Sequence, residues 1–250
     1  MNHSKWLNCF SRKRSKNADT KWDRWLLVVL FATAMAWVES AVVFYLRTMI
    51  DRIEPYQPNP FPMIGGFAAV ELPREFATLV MLLMVGMLAG RNWRGRIGYA
   101  LIAFGVWDIF YYVFLKIMCG WPHSLLDWDV LFLIPLPWWG PVLAPVLISL
   151  LLISWGTLAS WRDQPQPTAQ AGWRAWGLSF MGGALALCVF MTDSLRVAGG
   201  GVESLRTMLP VQFNWPLFLV ALALMSVPLI RELKPLWPRR ELIIEGAETN

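Results

Sequence analysis

Apolar runs long enough to cross a bilayer recur at about 25–48, 67–90, 97–119, 139–161, 173–195 and 214–233. A helix rises 1.5 Å per residue and the hydrocarbon core is about 30 Å thick, so roughly 20 apolar residues suffice for a crossing. In lipid every backbone polar group must find its partner inside the protein, which leaves helices as the form these runs can take. The chain therefore reads as all-α, a polytopic integral membrane helical bundle of about six transmembrane helices. Composition agrees, because 56% of residues are hydrophobic and only 16% charged, well below the quarter usual in soluble domains.

Basic residues set the orientation. Of 22 Lys and Arg, seven precede the first run, three lie between the second and third, two flank the fourth-to-fifth connection and four lie at or beyond the end of the last. Cytoplasmic loops carry the excess of Lys and Arg, so both ends face the cytoplasm, in a multi-pass protein of the cell's inner (plasma) membrane. The divisions are a basic cytoplasmic tail over 1–24, a transmembrane domain over 25–233 and a cytoplasmic C-terminal tail over 234–250. The tail's Arg12, Lys13, Arg14 and Lys16 suit anionic lipid headgroups; membrane lipids are the expected partners and nucleic acid is not. An apolar run that continues unbroken past Ala34-Met35-Ala36 argues against signal cleavage there.

Two histidines, His3 and His123, cannot supply bis-histidine haem ligation within the membrane, and Cys9, Cys119 and Cys188 lack the spacing of a zinc site. Haem and zinc are thus not expected. No nucleophile elbow, zincin motif, Walker loop or dinucleotide fingerprint occurs.

What distinguishes the chain is charge inside its apolar runs. A charge at bilayer depth costs several kcal/mol unless partnered, so such residues mark sites. Counted from the outer ends at 1.5 Å per residue, Glu39, Glu75 and Asp108 lie roughly 12 to 17 Å into the hydrocarbon, in one layer. Glu71 and Arg74 sit shallower on the second helix, and Arg47 and Lys116 at the outer rim. Glu71 and Glu75 share a helical face with Arg74 beside them, and Asp108, Tyr112 and Lys116 form an i, i+4, i+8 stripe next to Tyr111. With terminal residues set aside, the inner halves of the six runs carry no Asp, Glu, Lys or Arg. Pro73 frees a carbonyl beside these charges.

The segment 121–138 mixes Trp, Pro, Asp127 and Asp129, and reads as an interfacial or re-entrant piece with Trp121, Trp128, Trp138 and Trp139 at headgroup level and Ser124 or Asp127 capping a short helix. Gly86 and the stretch Met181-Gly182-Gly183-Ala184 suit close helix contact, and Asn214 suits a helix cap.

Acids outnumber bases in the outer layer, which leaves room for a proton, a cation or a cationic ligand group. Glu39, Glu75 and Asp108 are the candidate catalytic and metal-ligating groups; Arg47, Glu71, Arg74, Tyr111, Tyr112, Lys116, Asp127 and Asp129 are candidate ligand contacts. Hard oxygen ligands suit Mg, Ca or Mn. Alternatively, Arg47, Arg74 and Lys116 face a phosphate while a carboxylate acts as base on a lipid headgroup. Two further readings are a non-catalytic subunit of a larger membrane complex, its charges meeting other membrane subunits, and an ion- or proton-coupled transporter.

Overall fold

The computed structural model describes residues 3–57, 67–133, 136–161 and 172–233, with the side chains of 3–20, 67, 68, 202, 203 and 206 left aside. The C-terminal tail over 234–250 and the linker residues 162–171 lie outside the described residues. Six helices are long and apolar enough to cross a membrane: α1 (His3–Met49), α2 (Phe67–Ala89), α3 (Trp93–Cys119), α4 (Leu143–Trp161), α5 (Trp173–Val197) and α7 (Trp215–Leu233). A short 3-10 turn and α6 (Gly201–Thr207) lie between the last two. The chain is a multi-pass membrane helical bundle whose even number of crossings brings both ends to one face.

α3 is the hub. It is buried nearly all round, whereas α2 buries only the stripe Glu71, Glu75, Thr78, Leu82 and Gly86 and turns Phe76, Met81 and Leu88 outward. Small residues let backbones meet: a Cβ on Gly98 would stand 2.8 Å from the Gly156 carbonyl oxygen, and one on Gly105 would stand 2.7 Å from that of Ser149. Gly182 does the same for α5 against α7, 2.6 Å from the Ala221 oxygen, as its sequence context suggested; the neighbouring Gly183 meets nothing. α4 joins the α5–α7 pair through aromatics instead, with Phe190, Phe213 and Phe218 packed among Ala144, Leu147 and Ile148.

Helix ends are closed by side chains and turns. Asn92 accepts from the Gly95 N–H at the start of α3, and Asn214 accepts from Leu217 N–H at the start of α7, the cap its sequence implied. α1 ends in a paired turn: Arg52 N–H reaches the Arg47 carbonyl (2.7 Å) and Asp51 N–H that of Thr48 (3.2 Å), with Asp51 in the left-handed region at φ 51°. At the face that carries the N-terminal basic segment, Lys21 donates to the last carbonyl of α4 (Trp161, 2.8 Å) and Arg24 to that of α2 (Ala89, 3.4 Å). These cations also meet the negative ends of the two helix dipoles.

Residues 121–142 fold differently from the short helix expected. They form a hairpin of β1 (Trp128–Val130) and β2 (Trp139–Pro141), paired antiparallel with Asp129 opposite Gly140. Bonds from Leu131 N–H to the Trp138 oxygen and from Trp138 N–H to the Phe132 oxygen, both 2.8 Å, extend the pairing. Strand 139–141 occupies what the hydropathy assigns to the start of the fourth crossing. Asp127 closes the preceding turn by accepting from the His123 and Ser124 N–H groups. Trp121 and Trp139 are buried, and Trp138 stacks on Phe190 of α5, because the hairpin folds inward between helices.

Candidate functional site

The outer layer has two linked parts. On α1 and α2, Arg74 answers two carboxylates. Its Nε donates to Glu71 Oε2 at 2.9 Å, its Nη2 to Glu71 Oε1, and its Nη1 to Glu39 Oε1. Thr78 Oγ1 donates to the other Glu39 oxygen at 3.1 Å, so Glu39 and Glu71 are fully engaged. The arrangement follows from the α2 stripe: positions 71, 75 and 78 turn one face inward, and Arg74 lies within reach of both Glu71 and α1. Glu75, one turn deeper, holds one described hydrogen bond, from the Leu133 N–H of the hairpin at 3.2 Å. On the far side of the hairpin tip, Ser194 of α5 donates to the Pro137 carbonyl at 2.5 Å.

The second part gathers α3, α4, the hairpin and the end of α1. Arg47 donates to Asp129 Oδ1 at 2.8 Å, to the Ile53 carbonyl at 3.3 Å and to Tyr111 Oη at 3.4 Å, and lies 4.4 Å over the Trp121 ring. The cation–π contact and the desolvated ion pair fix the hairpin to α1. Burial raises the Asp129 carboxyl above its ordinary value, against the opposing pull of Arg47, of the Val130 N–H and of the Tyr112 hydroxyl. Asp108 is buried and accepts from Ser149 Oγ at 2.8 Å. Tyr112 packs between, its ring 5.0 Å from Tyr111 and 6.2 Å from Trp121. Tyr111 touches both parts: its hydroxyl accepts from Arg47 at 3.4 Å, while its carbonyl accepts at 3.0 Å from Ser40, the neighbour of Glu39 on α1.

The structure thus brings together Glu39, Glu71, Arg74 and Glu75, and separately Arg47, Tyr111, Tyr112, Asp108 and Asp129. It does not bring in Lys116, whose ammonium turns back to the Gly120 carbonyl (2.8 Å) on the exposed end of α3. Eight residues along a helix drift off the starting face, so the stripe from buried Asp108 ends outside. Asp127 serves its own turn. The metal reading also needs correction. Among the described residues no three Asp, Glu, His or Cys side chains converge as a metal would require, so Glu39, Glu75 and Asp108 do not form the expected ligand set. Glu39 is taken by Arg74 and Thr78, and Asp108 by Ser149.

Several contributors escape a reading of charge alone. Thr78 stands on the same α2 face as Glu71 and Glu75, a spacing that points to it; Ser149 and the Leu133 N–H leave no sequence signal. Arg52, buried beneath the first outer loop, donates to the Pro55 carbonyl (3.2 and 3.1 Å) and to Gln57 (3.0 Å). On the opposite face Glu232, the penultimate residue of α7, is wholly buried, bonded to Arg94 of α3 and to Trp155 Nε1 of α4 at 3.3 Å. Excluding terminal residues from the count of inner charges removed this group from view. Compared with known protein families, with curated proteins and with solved structures, the chain matches none.

Proposed function

We propose that this protein, set in the cell's inner membrane with its polar layer toward the outside, binds a small organic cation, an ammonium group, among the outer carboxylates. The observation that carries the reading is a charge imbalance. Glu39, Glu71, Glu75, Asp108 and Asp129 face two guanidiniums, Arg47 and Arg74. Each guanidinium is already engaged by carboxylate, and Glu75 and Asp108 each hold one described hydrogen bond. Buried acid in excess draws in protons or a cation. An ammonium offers three donors and accepts carboxylates that do not converge, whereas Mg or Ca needs six or more oxygens in a fixed shell.

The same geometry bears on the rival readings. Phosphate binding within the layer, and with it chemistry on a lipid phosphate, would draw on Arg47 and Arg74, which carboxylates already engage; Arg52 is held by the carbonyls of the outer loop. The acids face the bundle interior, which favours a ligand inside the chain over charges offered to a neighbouring subunit. A lipid amine and a free amine present the same group.

Thermal unfolding of the protein in lipid nanodiscs, with methylammonium, ethanolamine, sodium, magnesium or calcium added separately, tests the reading. A ligand that binds only the folded state stabilises it by about 2.7 kcal/mol at a hundredfold excess over Kd. Methylammonium should raise the Tm of the wild type and leave Glu75→Gln unmoved. Equal shifts in both proteins, or a response to divalent ions alone, would refute it.

A further inference from the structure

Arginines from α1, from the α2–α3 turn and from α3 gather at one corner of the face that carries the N-terminal basic segment. Arg24 of α1 donates to the Ala89 carbonyl at 3.4 Å, and Arg96 of α3 donates through Nε to the next carbonyl, that of Gly90, also at 3.4 Å. A Cβ on Gly90 would stand 2.2 Å from the Arg96 nitrogen, so the end of α2 and the start of α3 are in direct contact. Arg91 leaves the turn beside them, and both Arg91 and Arg96 are exposed. Of the acids at this corner, Glu232 is held by Arg94, and among the described residues that leaves exposed Asp23 to face Arg24, Arg91 and Arg96.

Helix capping explains the bonds of Arg24 and Arg96 to α2 but not the net charge. A helix end carries about half an elementary charge, and the positive end of α3, capped by Asn92, offsets the negative end of α2. Three guanidiniums exceed what either end can balance, so the corner suits an anion. The apolar neighbours say which kind. Leu88, in the last turn of α2, is 88% exposed, and Trp93, in the first turn of α3, is 66% exposed. Both stand where a crossing helix meets the headgroups. A soluble anion or a nucleic acid would leave them uncovered, whereas a phospholipid sets its phosphate on the guanidiniums and its acyl chain along the end of α2. We propose that Arg24, Arg91 and Arg96 bind the phosphate of an anionic phospholipid, the guanidinium fork matching the phosphate oxygens. A zwitterionic lipid brings its own ammonium to the same corner and gains less. The site shares no residue with the outer layer and stands or falls apart from it.

Native mass spectrometry of the full chain, released from micelles holding equal amounts of phosphatidylglycerol and phosphatidylcholine, tests the site. The wild type should retain phosphatidylglycerol about tenfold over phosphatidylcholine, the scale expected of a few basic residues near a lipid surface. Arg91→Gln/Arg96→Gln should bring the ratio near unity, and Arg91→Gln alone, which breaks no helix cap, should lower it several-fold. Arg174→Gln/Arg231→Gln removes two exposed charges from the same face and should leave the ratio unchanged. Equal losses in the two double variants would mean diffuse attraction to the whole face and overturn the site, as would a wild type without preference. Displacement of the lipid by inorganic phosphate, beyond the effect of sodium chloride at equal ionic strength, would assign the cluster to a soluble anion and overturn the lipid reading. Arg91→Gln should unfold at the wild-type temperature in phosphatidylcholine nanodiscs; a large drop there would make Arg91 a structural residue instead.

Discussion

Glu232 at the cytoplasmic end and Glu75 at the outer end are both buried carboxylates on transmembrane helices, yet their surroundings differ in kind. Among the described residues Glu232 meets the guanidinium of Arg94 and the indole N–H of Trp155, and through them α7 is tied to α3 and α4. That group pairs a carboxylate with a cation and locks three helices. Among the described residues Glu75 meets one backbone N–H, and it lies beside Glu39 and Glu71, which share the single guanidinium of Arg74. Charge balance suffices to hold a bundle together, whereas an excess of one sign has no structural purpose that a neutral side chain would not serve better. The contrast is why a ligand is sought beside Glu75 and not beside Glu232.

Removing a shared guanidinium should have the largest effect. Arg74→Gln leaves Glu39 and Glu71 buried without a cation, and breaking a buried pair costs about 3–5 kcal/mol. Arg94→Gln strips one carboxylate of its cation and should cost less; thermal unfolding of the two variants side by side measures the difference, and equal losses would break the comparison. Next comes packing. Gly98→Val drives a side chain into the Gly156 carbonyl and Ala159 of α4, so overpacking should lower stability by about 1–3 kcal/mol in the same assay. By contrast Glu75→Gln keeps an oxygen for the Leu133 N–H and removes one surplus charge. Its stability without ligand should stay within about 1 kcal/mol of the wild type, in keeping with a residue whose role is not structural.

The smallest effect concerns pH. Because burial raises the Asp129 pKa, the folded protein binds that proton more tightly than the unfolded chain does. Its contribution to stability is therefore greatest at pH values below the ordinary carboxylate range, declines as pH rises through the raised value, and is level above it. Asp129→Asn should remove that part of the slope in Tm against pH, and an unchanged slope would show that Arg47 holds the carboxylate ionised throughout.

Much of this was legible in the residues. Hydropathy gives the six crossings because lipid enforces length, and α2 keeps its acids on one face because helical periodicity fixes it. The layer of Glu39, Glu75 and Asp108 follows from counting residues in from the helix ends. Convergence did not follow. Depth places groups at one level but not at one point, and Asp108 faces α4 while Glu75 faces the hairpin. The hairpin itself was hidden because Trp- and Pro-rich sequence at a membrane surface ordinarily signals an interface, and only tertiary contacts with α1, α2 and α5 draw it inward. Glu232 was lost for the opposite reason, since a charge in the last turn of a crossing usually reaches water.

Calorimetric titration of methylammonium into nanodisc-embedded protein tests the central claim most directly. A saturable isotherm for the wild type that vanishes in Glu75→Gln, while Arg94→Gln retains it, is the predicted result. Isotherms that are flat for the wild type, or identical for Glu75→Gln, would contradict the account.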